Sequence, residues 1–160
     1  IDTNTCTKQP GVRTFEAAAF LRRNGADVTR VRKLFRDDMQ DYKARAAAIS
    51  SAEIYREAFS IGVCPSEGLP SPTIVCAQAA NELLEIKGIK ASVVMTEYHG
   101  LIYLSARSID EVNVQVMMEK LGGGGHRTIA GAQLSGISME EAKDRVKAVI
   151  DEMLQKGDIS

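Results

Sequence analysis

Apolar residues recur at intervals of three or four from Val28 to Ile49, through Val31, Leu34, Phe35, Met39, Tyr42 and Ala46, with Arg30, Lys33, Arg36, Asp37, Asp41 and Arg45 between them. That spacing predicts an amphipathic helix capped by Asp27 or Thr29, running as one long helix or as two broken near Arg36-Asp37. A shorter Ala-rich helix precedes it over Thr14 to Asn24, with Phe15, Ala18, Ala19 and Leu21 to bury and Gly25 to stop it. From Ala52 to Val63 the pattern turns to alternation, with Tyr55, Glu57, Phe59, Ile61 and Val63 on one side, which predicts a strand.

The Pro- and Gly-rich stretch from Cys64 to Pro72 reads as a loop, with Ser71 as N-cap and Pro72 at the first position of a helix. That helix turns Ala79, Ala80, Leu83 and Leu84 toward a core and ends at Gly88. Lys90 to Tyr98 and Leu101 to Arg107 are β-rich runs separated by His99-Gly100, a connection suited to a tight hairpin. A helix of about two turns follows over Asn113 to Leu121, then four glycines, then a small-residue strand from Ile129 to Leu134. Ser138 with Glu141 makes a capping box, and Met139, Ala142, Val146, Val149 and Met153 stripe a last helix. From residue 52 the order is β-α-β-β-α-β-α, which predicts an α/β fold: a mixed β-sheet flanked by helices, preceded by a helical linker over 14–51.

Composition narrows the function more than the fold. Twenty basic residues against 21 acidic ones leave a net charge of −1, so no global basic field draws the chain onto duplex nucleic acid or an anionic membrane. An anionic ligand must then be held by a local site, and a long nucleic-acid track is disfavoured. No apolar run reaches the roughly 20 residues that cross a bilayer, and no signal peptide opens the chain. Cys6, Cys64 and Cys76 contain no C-x-x-C pair, which makes a reducing, cytoplasmic setting the default expectation. His99 and His126 are too few for a His-rich metal site, and His99 reads as a turn residue. The chain starts Ile1-Asp2-Thr3 without a methionine, from which an excised piece of a longer protein is expected.

Gly122-Gly123-Gly124-Gly125-His126 is the most specific feature, because each glycine in regular structure costs about 0.5–1 kcal/mol relative to alanine. Such a run fits a loop where bare backbone N–H groups approach an anion and His126 donates to a phosphate or carbonyl oxygen; it also fits a flexible turn that stops a helix. It is not a Walker loop, lacking Gly-Lys-Ser/Thr, nor a dinucleotide fingerprint, since it follows a helix. Ser105-Ala106-Arg107-Ser108 ends a hairpin strand, where an arginine fork with flanking hydroxyls suits a phosphate; the plainer alternative is a salt bridge to Asp110 or Glu111. The intervening helix, roughly 13 Å long at 1.5 Å per residue, lets one ligand touch both ends of the unit. Asn113 is either an N-cap or a base-edge reader. No Ser-His-Asp or Cys-His arrangement can be assembled, so the residues outline a binding site more clearly than a catalytic one.

Ser105-Ala106-Arg107-Ser108, followed by Glu111 to Leu121 and then Gly122-Gly123-Gly124-Gly125-His126, resembles the DHH-associated domain found C-terminal to the catalytic DHH domain in DHH-family phosphoesterases. The opening, Ile1-Asp2-Thr3 with Gly11-Val12-Arg13-Thr14-Phe15-Glu16-Ala17-Ala18 and Leu21-Arg22-Arg23, is similar to the end of the DHH domain and the linker of membrane-anchored cyclic di-AMP phosphodiesterases of Gram-positive bacteria. The resemblance implies that residues 1–13 end a DHH domain, 14–51 form the linker and 52–160 form the substrate-gripping domain. It implies a hydrolase that opens cyclic di-AMP to pApA with two manganese ions, held mainly by the upstream DHH domain, with Asp2 matching the last metal-binding aspartate. Ser105, Arg107, Ser108, Asn113, Gly122, Gly123, Gly124, Gly125 and His126 would bind the substrate.

The implied partners are the cyclic dinucleotide and the DHH domain of the same chain, with a second copy as a further candidate. Transmembrane helices, a PAS-like sensor and a degenerate GGDEF domain are implied upstream. One departure concerns the wider family's x-x-Ala-Ala-Gly after the histidine, which here runs Arg127-Thr128-Ile129-Ala130-Gly131. Two rival readings stand beside this one: an oligoribonuclease or RecJ-like exonuclease of the same superfamily, and a nucleotide-binding module without catalysis.

Overall fold

The computed structural model describes Met39 to Ile159 apart from Asp110, and scattered positions before Met39. The chain divides into two compact units, Ile1–Asp38 and Met39–Ser160. In the first, Glu16, Ala17, Ala19, Phe20 and Arg23 are helical, and Gly25 takes the left-handed φ of 86° that a stop signal requires. Thr29 donates its N–H to Asp27 Oδ1 at 2.9 Å, the capping bond expected there. The expected break near Arg36-Asp37 falls on residues outside the described set, but Asp38 is not helical and a helix starts at Met39.

The second unit runs α1 (Met39–Ser50), β1 (Glu53–Tyr55), β2 (Phe59–Val63), α2 (Pro72–Leu83), β3 (Ala91–Tyr98), β4 (Leu101–Ser108), α3 (Val114–Glu119), β5 (Gly124–Gly125), β6 (Ile129–Leu134) and α4 (Met139–Lys156). The strands form a mixed sheet in the order β1-β2-β3-β4-β6-β5, parallel only between β2 and β3, where α2 makes the crossover. This is the α/β architecture expected from the sequence, with two differences in the strands.

The alternating stretch from Ala52 is a hairpin instead of one strand. Arg56 and Glu57 adopt φ of 48° and 66°, so the chain reverses and Tyr55 pairs with Phe59. Asp151 of α4 secures the turn, accepting from the Tyr55 hydroxyl and from Arg56 Nε, each at 2.8 Å. The second difference is that two of the four glycines are themselves a strand, paired with β6. In addition, α2 ends at Leu83, and the chain reaches Gly88 through turns rather than helix.

Other local signals act as read. His99 and Gly100 take φ of 50° and 76°, the left-handed pair of a tight hairpin, and Tyr98 pairs with Leu101. Ser138 Oγ accepts from Glu141 N–H at 3.1 Å, while Gly157 closes α4 at φ 74°. Ser71 precedes α2 without any side-chain capping bond, so Pro72 at the first turn carries that start.

The two faces of the sheet are covered unequally. On one face α3 and α4 bury Met117, Met118, Val146, Ile150 and Met153 against Val93, Met95, Leu104 and Ala132. Each such side chain contributes roughly 1.5–3 kcal/mol of transfer free energy. On the other face α1 and α2 pack Ala48, Val75, Cys76, Ala79 and Leu83 over Val94. Ser92 donates to Ala80 O at 2.6 Å and Thr96 to Cys64 O at 3.0 Å, which ties this layer to β3. Arg45, 8% exposed, joins the two helices by pairing with Glu82 at 2.6 Å and donating to Gln78 at 3.2 Å. Helix α2 packs on α1 and over β2, β3 and β4, and among the described residues no helix packs over the same face of β6 and β5.

Candidate functional site

The register of the sheet arranges that uncovered face in three rows. Directly opposed residues share a face, so Tyr103 stands beside Gln133, Ser105 beside Gly131 and Gly124, and Arg107 beside Ile129. His126 extends the third row: it exchanges backbone hydrogen bonds with Ile129 at 2.7 and 3.3 Å. The middle row is Ser-Gly-Gly and has almost no side chain, which makes it the floor of a trough between two taller rows. A groove of about 480 Å³ opens at the Tyr103-Gln133 end of this floor, lined by Tyr103, Gly122, Gly123, Gly131 and Gln133. That volume falls within the range of small-molecule sites.

Of the two carboxylates that were the plain alternative for Arg107, Glu111 pairs with Lys90 at 3.0 Å, and Asp110 lies outside the described residues. Arg107 Nε donates to Asn81 Oδ1 of α2 at 3.0 Å, and Nη1 donates to Ala106 O at 2.9 Å. A guanidinium has five N–H donors, so three remain for an anion above the sheet. Burial pulls its pKa down from the ordinary value, the direction expected for a partly desolvated cation.

The four glycines have separate reasons. Gly122 takes φ 81° and donates to Glu119 O at 3.0 Å, and Gly123 donates to Met118 O at 2.8 Å, which together close α3 in a Schellman motif. At Gly123 a Cβ would strike the Gly131 carbonyl and lie 2.6 Å from Ala132 Cβ; at Gly125 it would lie 2.5 Å from Ala130 Cα. Only Gly124 has ordinary φ and open space where a side chain would go. Packing accounts for Gly123 and Gly125 and a left-handed φ for Gly122, while Gly124 leaves bare backbone on the floor of the trough.

The run is therefore not an anion-binding nest of several free N–H groups, because those of Gly122 and Gly123 are spent on the helix end. His126 and Ile129 exchange bonds, so by the alternation of an antiparallel ladder Gly124 and Gly131 do the same, and the Gly125 N–H points to the free edge of the sheet.

The remaining expected residues divide. Ser105 is half-buried on the groove side with Arg107. Ser108 lies on the opposite face, 7% exposed, its hydroxyl donating to Val112 O at 2.6 Å. Asn113 caps α3, accepting from Gln115 and Val116 N–H at 3.1 and 3.3 Å, which commits its oxygen to the helix. Asp2 lies outside the described residues.

The reading of the sequence missed Asn81, Tyr103 and Gln133. Asn81 carried a faint signal, a poor helix former near the end of a helical run. Tyr103 and Gln133 carried none, because only strand register brings them together. Nearby, Cys76 donates to Val94 O at 3.0 Å, and burial raises its thiol pKa to about 12; burial likewise takes Cys64 to about 11. Neither thiol is a nucleophile. Among the described residues no group of three His, Cys, Asp or Glu could hold a metal ion, and no helix is long and apolar enough to cross a membrane.

The DHHA1 domain family matches residues 71–156. The chain is 40% identical over 159 residues to the cyclic-di-AMP phosphodiesterase GdpP of Bacillus subtilis, covering 98% of this chain and 24% of that protein. It is 40% identical over 152 residues to the cyclic-di-AMP phosphodiesterase PdeA of Listeria monocytogenes, covering 94% and 23%. The chain thus spans about a quarter of the length of these curated relatives. Among solved structures, an exopolyphosphatase-related protein from Bacteroides fragilis superposes with a TM-score of 0.77 at 20% identity over 95% of this chain and 47% of that one, a likeness of fold.

Proposed function

The chain belongs to the DHHA1 domain family, and on that footing we propose that it is the substrate-gripping part of a phosphodiesterase that opens cyclic di-AMP to pApA. The observation that carries the proposal is Arg107, with three uncommitted donors, in the row next to the side-chain-free Ser105-Gly131-Gly124 floor of the sheet. The 40% identity to two cyclic-di-AMP phosphodiesterases along nearly the whole chain supports the choice of substrate.

In this reading the Arg107 fork takes a phosphate oxygen pair, His126 donates from the end of the same row, and the Ser105-Gly131-Gly124 floor lets the sugar-phosphate approach the sheet closely. The chain's own residues bind and orient. Two manganese ions, when bound to the complete enzyme, supply an activated water and neutralise charge on the leaving oxygen. The described residues do not form such a centre, so the proposal assigns it to an upstream DHH domain, with Asp2 as its last ligand. Residues 1–13 then end that domain, 14–51 link it and 52–160 grip the nucleotide, in a parent anchored in the membrane with these parts in the cytoplasm.

A substrate panel on the complete DHH-containing protein tests the proposal, comparing cyclic di-AMP, cyclic di-GMP, pApA and short RNA. Preference for cyclic di-AMP is expected, with the 160-residue chain inactive by itself even with manganese. Preference for short RNA would replace it with an oligoribonuclease or RecJ-like role. Arg107→Ala and His126→Ala in the complete protein are each expected to cut hydrolysis strongly while leaving the melting temperature within a few degrees.

A further inference from the structure

We propose that the end of the groove at Tyr103 and Gln133 is a purine-base subsite, in which the Gln133 carboxamide reads the edge of an adenine. The inference rests on the proposed nucleotide substrate and assigns the half of the groove that the phosphate does not use. Arg107 and Tyr103 are four residues apart on β4, about 13 Å at 3.3 Å per residue, which matches the length of an extended mononucleotide. A phosphate held at the Arg107-His126 row therefore places its base at the Tyr103-Gln133 row.

The surface there suits a planar ring. Gly122, Gly123 and Gly131 line the groove with backbone and no side chains, so a flat heterocycle can lie against them. Tyr103 is half-buried and braced by Tyr98, with ring centroids 6.4 Å apart, and gives an aromatic wall. Opposite it, Gln133 is exposed, and its carboxamide has no partner among the described residues. A carboxamide offers one donor and one acceptor side by side. Adenine presents the complementary pair at N6–H and N7, whereas guanine presents two acceptors at O6 and N7, which suit an arginine or lysine.

The test is kcat/KM for cyclic di-AMP and cyclic di-GMP in the complete metal-loaded protein, as wild type, Gln133→Leu and Gln133→Arg. Gln133 is exposed, so neither variant disturbs packing. The wild type should favour cyclic di-AMP. Gln133→Leu should lower the ratio of the two constants by roughly 5- to 150-fold, the worth of one bidentate base contact, and Gln133→Arg should lower it further by gaining guanine. A wild type that does not distinguish the substrates overturns the subsite. So does a ratio unmoved by both variants, or an equal loss of both substrates. A wild type that turns over neither cyclic dinucleotide overturns instead the proposed function, and shows it before any variant is made.

Discussion

Arg107 Nε donates to Asn81 Oδ1 at 3.0 Å, an exposed bond that joins β4 to α2 across 26 residues of sequence. The bond holds the guanidinium in plane while leaving its outer donors free, so Asn81 is a positioning residue for the phosphate end of the groove. In the complete protein Asn81→Ala should raise KM for cyclic di-AMP roughly 3- to 10-fold with little change in kcat, the loss of one modest hydrogen bond. The melting temperature should barely move because the site is exposed. Asn81→Asp should do worse than Asn81→Ala, since a carboxylate pairs with the arginine and repels the phosphate. Michaelis constants for both variants check this.

The buried thiols give a test of packing around α2. Burial pushes Cys76 up to about 12 and Cys64 up to about 11, so at pH 8 both stay protonated and covered. A Cys6→Ser variant should show no thiol reacting with a disulfide reagent in native buffer, and two reacting in denaturant. Rapid native reaction of either would mean that α1 and α2 open readily from the sheet.

Acid titration should reveal the tie between α3 and α4. Glu152 accepts from Lys156 at 2.6 Å and Lys120 at 2.9 Å, in that order of effect, and its carboxyl is held down at about 2 from an ordinary 4.5. A depressed carboxyl pKa favours the folded state above the ordinary value, and the advantage drains as pH falls from about 4.5 toward 2. Glu152→Gln should melt below the wild type near neutral pH, with the two curves converging by about pH 2. Parallel curves throughout would show that the pair contributes no charge linkage.

Local signals account for what was legible in the sequence. The His99-Gly100 turn, the Ser138 cap and the Asn113 cap are decided by residues within four positions of one another and act as their chemistry requires, although the Glu141 carboxylate turns to Arg145 and leaves the capping box half made. The β1–β2 hairpin was hidden because Arg56-Glu57-Ala58 has no Gly, Asn, Asp or Pro to mark a turn. It is secured by Asp151, 95 residues away from Arg56. Strand β5 was hidden for the opposite reason: glycines have no side chains to show a period. The site was legible as residue types, in Arg107, His126 and the glycines, but not as a surface. Which of them face the groove depends on strand register, and register also turns Ser108 away and brings Tyr103 and Gln133 in.

Two neighbouring glycines should behave oppositely when replaced by alanine, and this separates folding from binding. Gly123→Ala places a methyl group against the Gly131 carbonyl and 2.6 Å from Ala132 Cβ, contacts with β6 that no rotamer can relieve. Overpacking of that kind costs about 3 kcal/mol and should lower the melting temperature by on the order of 10 °C. Gly124→Ala meets nothing within 4 Å and keeps an ordinary φ, so the loss of unfolded-state freedom should leave the melting temperature unchanged or raise it by about 1–3 °C. The same methyl group stands on the floor beside Ser105 and Gly131, where the substrate has to approach the backbone. KM for cyclic di-AMP in the complete protein should therefore rise by about tenfold or more, equivalent to about 1.4 kcal/mol of lost contact. Thermal melts and Michaelis constants on the two variants decide the matter: an unchanged KM in Gly124→Ala would remove the bare floor from the binding site, even if Arg107 remained essential.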